Sequence, residues 1–241
     1  MSRKILYIFP HPDDESFGPA AAMNSQVQKG HDVYLLTLTK GGATKQRYKL
    51  GLTVEEMGEV RYQEMQEVEK VLGLSGMKVL DFPDSGLKEL DIRILEQAVQ
   101  KHIEEIMPSI VVTYPVHGVS GFHDHIVTHA VVKRVYMELE DSGADYLKRL
   151  AFFTLPDSDE PTWTPGDMPR SKLTEEALID CIIPLQDGDI LAMKDALSCY
   201  ATYRKTIEKS GVVEKIGDKV YFEIFAEDFT PVLDDLTAQL S

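Results

Sequence analysis

Short, nearly continuous apolar runs alternate with longer amphipathic stretches through the first two-thirds of the chain, and this alternation restricts the fold more than any other feature. Lys4 to Phe9, Asp32 to Thr39, Lys78 to Phe82 and Ser109 to Tyr114 are four such runs. Between them, Pro19 to Lys29, Thr53 to Leu72 and Lys88 to Ile106 have helical length and an apolar face. A strand with one wet face alternates polar and apolar residues. Runs that are apolar throughout need cover on both faces, which parallel strands joined by crossover helices provide. The pattern predicts an α/β fold: an open, mostly parallel, Rossmann-like sheet with helices on both faces. No Gly-x-Gly-x-x-Gly follows the first run, which disfavours a dinucleotide enzyme.

Beyond about residue 140 the pattern loosens. Leu150 to Leu155, Leu178 to Leu185 and Tyr221 to Ala226 read as further strands, and Asp187 to Glu208 as a helix. Pro156 to Arg170 holds four of the twelve prolines and reads as an excursion or lid, because periodic structure resumes after it. Trp163 within it is weighed as a packing residue ahead of a sugar-stacking one. The expectation is one domain over residues 1–241, with a core at about 3–140 and a variable, substrate-shaping portion at about 141–241. Cys181 and Cys199 make no disulfide framework and read as core filler, in keeping with a reducing cytoplasm. A net charge of −15 opposes docking on nucleic acid or anionic lipid. Neither a leader peptide nor a membrane-spanning stretch is read. The partner expected is a small molecule, and self-association into a homo-oligomer is left open.

The chemistry concentrates in two places. The first run ends in Pro10-His11-Pro12-Asp13-Asp14-Glu15. Turn and helix-start preferences explain one carboxylate there, but adjacent Asp13 and Asp14 disfavour each other's ionisation unless a cation sits among them. The second cluster follows the fourth run. His117, His123, His125 and His129 are four of the chain's seven histidines and fall within thirteen residues, beside Gly118 and Gly121. Loops leaving the carboxyl ends of parallel strands line one crevice, so the fold can unite the clusters. A His/carboxylate set of three with an open fourth place suits zinc, or another divalent metal.

These motifs resemble those of the PIG-L/LmbE-like family of zinc-dependent N-acetylglucosaminyl deacetylases. Leu36-Thr37-Leu38-Thr39 leading to Gly41-Gly42, Arg61-Tyr62-Gln63-Glu64 and Asp81-Phe82-Pro83-Asp84 extend the resemblance over about residues 3 to 135. It implies hydrolysis of an N-acyl, typically N-acetyl, group on an amino sugar or sugar conjugate. His11, Asp14 and His125 match the metal ligands, Asp13 the general base, and Asp124 a residue that orients an imidazole. Arg61 is expected either near the substrate's polar groups or in an i, i+3 surface pair with Glu64. Gly41 either lets backbone approach a sugar or makes a turn, and Glu15 either contacts substrate or serves as a helix-start acid.

One position departs from the family. Its loop usually reads Gly-His-Pro-Asp-His, whereas this chain has Gly121-Phe122-His123-Asp124-His125. A phenyl ring neither donates a proton nor stabilises an oxyanion by charge. Either His123 replaces the missing imidazole from one position along, or His117 or His129 reaches in, or catalysis is weakened. His123 is the residue expected to do so. The weakened case keeps a second reading open, a sugar- or metal-binding member of the same fold.

Overall fold

In the computed structural model, which describes residues 2–157, 172–214 and 217–240, the four apolar runs are neighbouring strands. The described elements are β1 (Lys4–Phe9), α1 (Asp14–Phe17), α2 (Ala20–Gln28), β2 (Asp32–Thr39), α3 (Gln46–Leu50), α4 (Val54–Leu72), β3 (Gly76–Phe82) and α5 (Ile92–Ile106). They continue with β4 (Ile110–Thr113), α6 (His123–Asp141), β5 (Arg149–Thr154), β6 (Cys181–Pro184), α7 (Asp187–Cys199), α8 (Arg204–Ser210) and β7 (Lys219–Ile224). The sheet runs β3-β2-β1-β4-β5-β7-β6. The first five strands are mutually parallel, and β7 lies antiparallel to both of its neighbours.

The two faces of β1 show why its run is apolar throughout. Ile5, Tyr7 and Phe9 point into a core with Met23 of α2, Met65 and Val68 of α4 and Met193 of α7. Leu6 and Ile8 point the other way, among Leu95 and Val99 of α5 and Val131 and Val135 of α6. Each fully buried aliphatic side chain of this kind contributes roughly 1.5–3 kcal/mol relative to exposure. The helix ends follow local chemistry. Thr53 and Glu56 form a reciprocal cap at the start of α4, which ends on left-handed Gly73. Asp91 caps α5 by accepting from Arg93 N, so the helix starts at Ile92 and not at Lys88, leaving Leu87–Glu89 as a separate 3₁₀ turn.

The helix expected over Asp187–Glu208 is broken. Tyr200 leaves helical geometry at φ −82°, ψ 69°, and its fully buried side chain turns toward the loop after β1. Trp163 and most of the Pro-rich excursion lie outside the described residues. Among the described residues no helix is long and apolar enough to cross a membrane.

Strand order positions the site. The chain winds outward from β1 to β2 and β3, then returns to place β4 on the other side of β1. The loops after β1 and β4 therefore diverge, and a crevice opens between them at the carboxyl ends of the strands.

Candidate active site

The loop after β1 carries His11, Asp13 and Asp14, and the loop after β4 leads into α6 with Asp124 and His125 in its first turn. On the β4 side of the crevice the Tyr114 and His125 rings stack at 4.3 Å. The Tyr114 hydroxyl donates to Asp14 Oδ1 at 2.8 Å. His125 Nδ1 lies 2.9 Å from Gly118 O, which assigns its proton there and leaves the Nε2 lone pair free. That Nε2 sits 3.3 Å from Asp14 Oδ1. Gly118 has φ +65°, and a Cβ on it would come within 2.8 Å of His125 Cβ, so a larger residue would push this ring away.

His11 completes the group. Its Nδ1 is 3.5 Å from Asp14 Oδ2, and its Nε2 faces Asp124 Oδ2 at 3.1 Å and Asp84 Oδ1 at 3.4 Å. Carboxylates only accept and they face both ring nitrogens, so Nε2 donates to Asp124 while a proton or a cation lies between Nδ1 and Asp14. The ligand atoms of His11, Asp14 and His125 all lie within 4.8 Å of one another. Ligands bound at zinc distances around a tetrahedral centre are separated by about 3.4 Å, which matches the spacings to Asp14. Burial alone would lower the His11 imidazole, but the Asp124 and Asp14 carboxylates outweigh it and push it up to about 10. The surroundings thus favour positive charge at this point. Burial opposes ionisation of Asp14, yet its imidazole and Tyr114 neighbours hold it at about 2. Burial lowers His125, with Asp14 pulling the other way. Two imidazole lone pairs and one ionised carboxylate fit a divalent cation.

Asp124 does more than face His11. Its oxygens accept from Ser85 N at 2.8 Å and Leu87 N at 3.2 Å, so one carboxylate ties the His11 ring to the exit of β3. Asp84 accepts from Ala43 N at 2.7 Å, which links the same ring to the loop after β2. Asp84, from the Asp81–Asp84 motif, thus faces the same His11 nitrogen as Asp124.

Asp13 stands outside the donor group and beside it. Its backbone is left-handed, φ 84°, an uncommon conformation for a non-glycine residue. The Tyr200 hydroxyl accepts from Asp13 N at 2.9 Å and donates to Glu15 Oε1 at 2.7 Å. Arg61 Nη2 pairs with Asp13 Oδ2 at 2.7 Å and also reaches Pro12 O at 2.7 Å. Burial pushes the Asp13 carboxyl up to about 7, with Arg61 opposing and Asp14 reinforcing the shift. A carboxyl in that range exchanges protons near neutral pH.

Of the three expected substrate contacts, Arg61 reaches the cavity and the other two are placed elsewhere. Arg61 is buried, not part of a surface pair with Glu64, and it lines the cavity beside Asp13. Glu64 instead accepts from Thr202 N and Oγ1. Glu15 is fully buried behind the site, against Ser16 and Tyr200, and is not positioned to meet a substrate. Gly41 accepts from Arg61 Nη1 through its carbonyl, and a Cβ on it would lie 2.5 Å from that nitrogen. Its small size makes room for the guanidinium and not for a sugar.

No histidine is brought to the place left by Phe122. His123 begins α6 with its side chain exposed and off the cavity wall. His117 Nε2 turns to Thr174 Oγ1 at 3.2 Å, and His129 Nδ1 to Tyr114 O at 2.8 Å. Phe122 itself lines the cavity, its ring 5.7 Å from that of His125. The residues that sequence reasoning passed over are Tyr114, Tyr200 and Tyr203. Tyr114 ends the fourth apolar run, which is a signal in this fold. The two C-terminal tyrosines offer none.

These groups open on one cavity of about 280 Å³. Residues 6–136, more than half of the chain, match the profile of the PIG-L family, GlcNAc-PI de-N-acetylase. The 1D-myo-inositol 2-acetamido-2-deoxy-alpha-D-glucopyranoside deacetylase of Thermomonospora curvata is 29% identical over 153 residues, which cover 55% of this chain and 52% of that one. The chain spans about half the length of the curated relatives it matches. The crystal structure of 4-carboxy-2-hydroxymuconate hydratase from Pseudomonas putida is similar at a TM-score of 0.69 and 14% identity, over 94% of this chain and 98% of that one. N,N'-diacetylchitobiose deacetylase from Pyrococcus horikoshii gives a TM-score of 0.62 and 17% identity, over 93% and 84%. At such identities the likeness is one of fold. A hydratase and a deacetylase share this scaffold, so the reaction has to be argued from the residues of the site.

Proposed function

Since the chain belongs to the PIG-L family, we propose that it is a metal-dependent amidohydrolase that removes an N-acyl group from an amino sugar or sugar conjugate. The observation that carries this reading is the separation of roles among adjacent acids: Asp14 faces two imidazoles, while Asp13 faces the cavity and Arg61. A binding protein has no need of the second arrangement.

In this reading His11, Asp14 and His125 hold zinc or another divalent ion. When bound, such an ion polarises an amide carbonyl and acidifies water. Asp13 takes the proton from the attacking water and returns it to the departing amine nitrogen. The C–N bond breaks, a C–O bond forms, and carboxylate and amine leave. One carboxyl carries the proton both ways because Phe122 cannot, and its position near neutrality suits both transfers. Arg61 fixes the direction of Asp13, and Asp124 fixes the ring orientation of His11.

The test is release of free amine from N-acyl amino sugars by purified, zinc-loaded protein. Turnover that depends on metal supports the reading. Tight sugar binding with no amine released by any substrate would overturn it in favour of a binding protein.

A further inference from the structure

The cavity has two unlike walls that meet at the donor group. Arg61, Thr44, Ser85, Tyr203 and Thr206 present polar groups on one side. Phe17, Val119, Phe153 and Leu155 belong to one apolar cluster and line the cavity with Phe122, interrupted among the described residues only by the Ser120 hydroxyl, which is engaged with Phe122 N and His125. The apolar side begins at the donors themselves: Phe122 neighbours His125 at 5.7 Å, and Phe153 lies 6.4 Å from Tyr114, which bonds Asp14. An acetyl methyl would touch only the start of such a wall. Hydroxyls of a sugar suit the polar side, which leaves the apolar side for the substituent on the carbonyl carbon.

Charge narrows the choice further. Arg61 is the one Lys or Arg among the described lining residues, and Asp13 pairs with it at 2.7 Å. Asp13, Asp14 and Asp84 also line the space, so an anionic acyl group such as succinyl would meet repulsion from these carboxylates, and the one guanidinium among the described lining residues is already paired. We infer that the apolar wall is an acyl subsite for a neutral hydrocarbon chain longer than acetyl. The inference rests on the amidohydrolase reading above. It gives Phe122 a positive role as wall where an imidazole would be polar.

The experiment uses the full chain loaded with zinc and a series of N-acetyl-, N-butanoyl-, N-hexanoyl- and N-succinyl-glucosamine, with octyl N-acetylglucosaminide as the control that carries its chain on the glycosidic oxygen. Amine release gives kcat/KM, and calorimetry on Asp13→Asn gives Kd for the same compounds. We expect kcat/KM to rise by up to about fourfold per added methylene while the chain lies on the wall, and N-succinyl to be the poorest substrate. Leu155→Asp should flatten the hexanoyl-to-acetyl ratio, and Leu155→Met, which keeps the apolar surface, should preserve it. An N-acetyl substrate cleaved as well as N-hexanoyl overturns the subsite while leaving the amidohydrolase reading intact. So does a greater gain from the octyl glycoside, which would assign the wall to an aglycone. If no compound is hydrolysed, the functional reading fails and Kd decides: tightening with acyl length upholds the subsite, and a flat series removes it.

Discussion

Asp13 and Asp14 are covalent neighbours held to opposite ends of the carboxyl range, one pushed up to about 7 and the other down to about 2. The left-handed backbone at Asp13 is what allows it, since it turns one carboxyl to Arg61 and leaves the other among imidazoles. The acids, His11 and His125 were legible in the sequence because they crowd the ends of two strands. His123 was misplaced for a geometric reason. One residue along a helix turns a side chain by about 100°, so at the start of α6 Asp124 and His125 face inward while His123 faces solvent. His123→Ala should therefore leave turnover within about twofold of wild type, as is usual for exposed positions. His125→Ala should lose stoichiometric zinc by metal analysis, and full retention would remove His125 from the donor set. At Gly41 an added Cβ meets both the Arg61 guanidinium and a left-handed backbone. Gly41→Ala should lower kcat through a displaced Arg61, and it should cost about 1–3 kcal/mol of stability in a denaturant titration.

Among the elements, the break between α7 and α8 matters most for the site. The apolar and acidic pattern from Asp187 to Glu208 reads as one helix, and propensity gives no reason to stop. The stop comes from tertiary structure: Tyr200 leaves the helix to bond Asp13 N and Glu15, and Thr202 bonds Glu64 of α4. Such roles were illegible because each depends on a single polar residue meeting a segment 138 to 187 residues earlier. Tyr200→Phe keeps the ring and removes the hydroxyl, leaving Asp13 N and Glu15 short of a buried partner. The expected cost is about 1–3 kcal/mol, together with a fall in kcat at unchanged zinc content. A variant with normal kcat would show that Tyr200 supports the fold and not the position of Asp13. The strands of the first half were legible to within two residues because burial on both faces writes itself into composition. The antiparallel direction of β7 was not, since a short apolar run reads the same either way.

Over the whole molecule, the second half of the chain is joined to the first through the pairing of β4 with β5 and through Thr202 on Glu64, and within the second half Arg149 ties the C-terminal segment to the sheet. This residue of β5 is almost wholly buried. It pairs with Glu227 and donates to Leu236 O and Ala238 O, fastening the C-terminal segment to the sheet. Arg149→Ala should cost about 3 kcal/mol, the lower end for a broken buried pair since Glu227 is partly wet, and lower Tm by about 6–12 °C. The donor group at the other end of β1 and β4 is built from the first half, and the same cavity takes Phe153, Leu155, Tyr203 and Thr206 from the second. The cavity is thus lined from both parts of the chain. The claim on which everything else depends is that Asp13 moves the proton while His11, Asp14 and His125 hold the metal. Zinc content and amine release, measured side by side on wild type and Asp13→Asn after chelation and reloading, test it directly. The account predicts equal stoichiometric zinc in both proteins and a loss of turnover by about a hundredfold or more in the variant. Near-normal turnover in Asp13→Asn, or loss of its zinc, would contradict it.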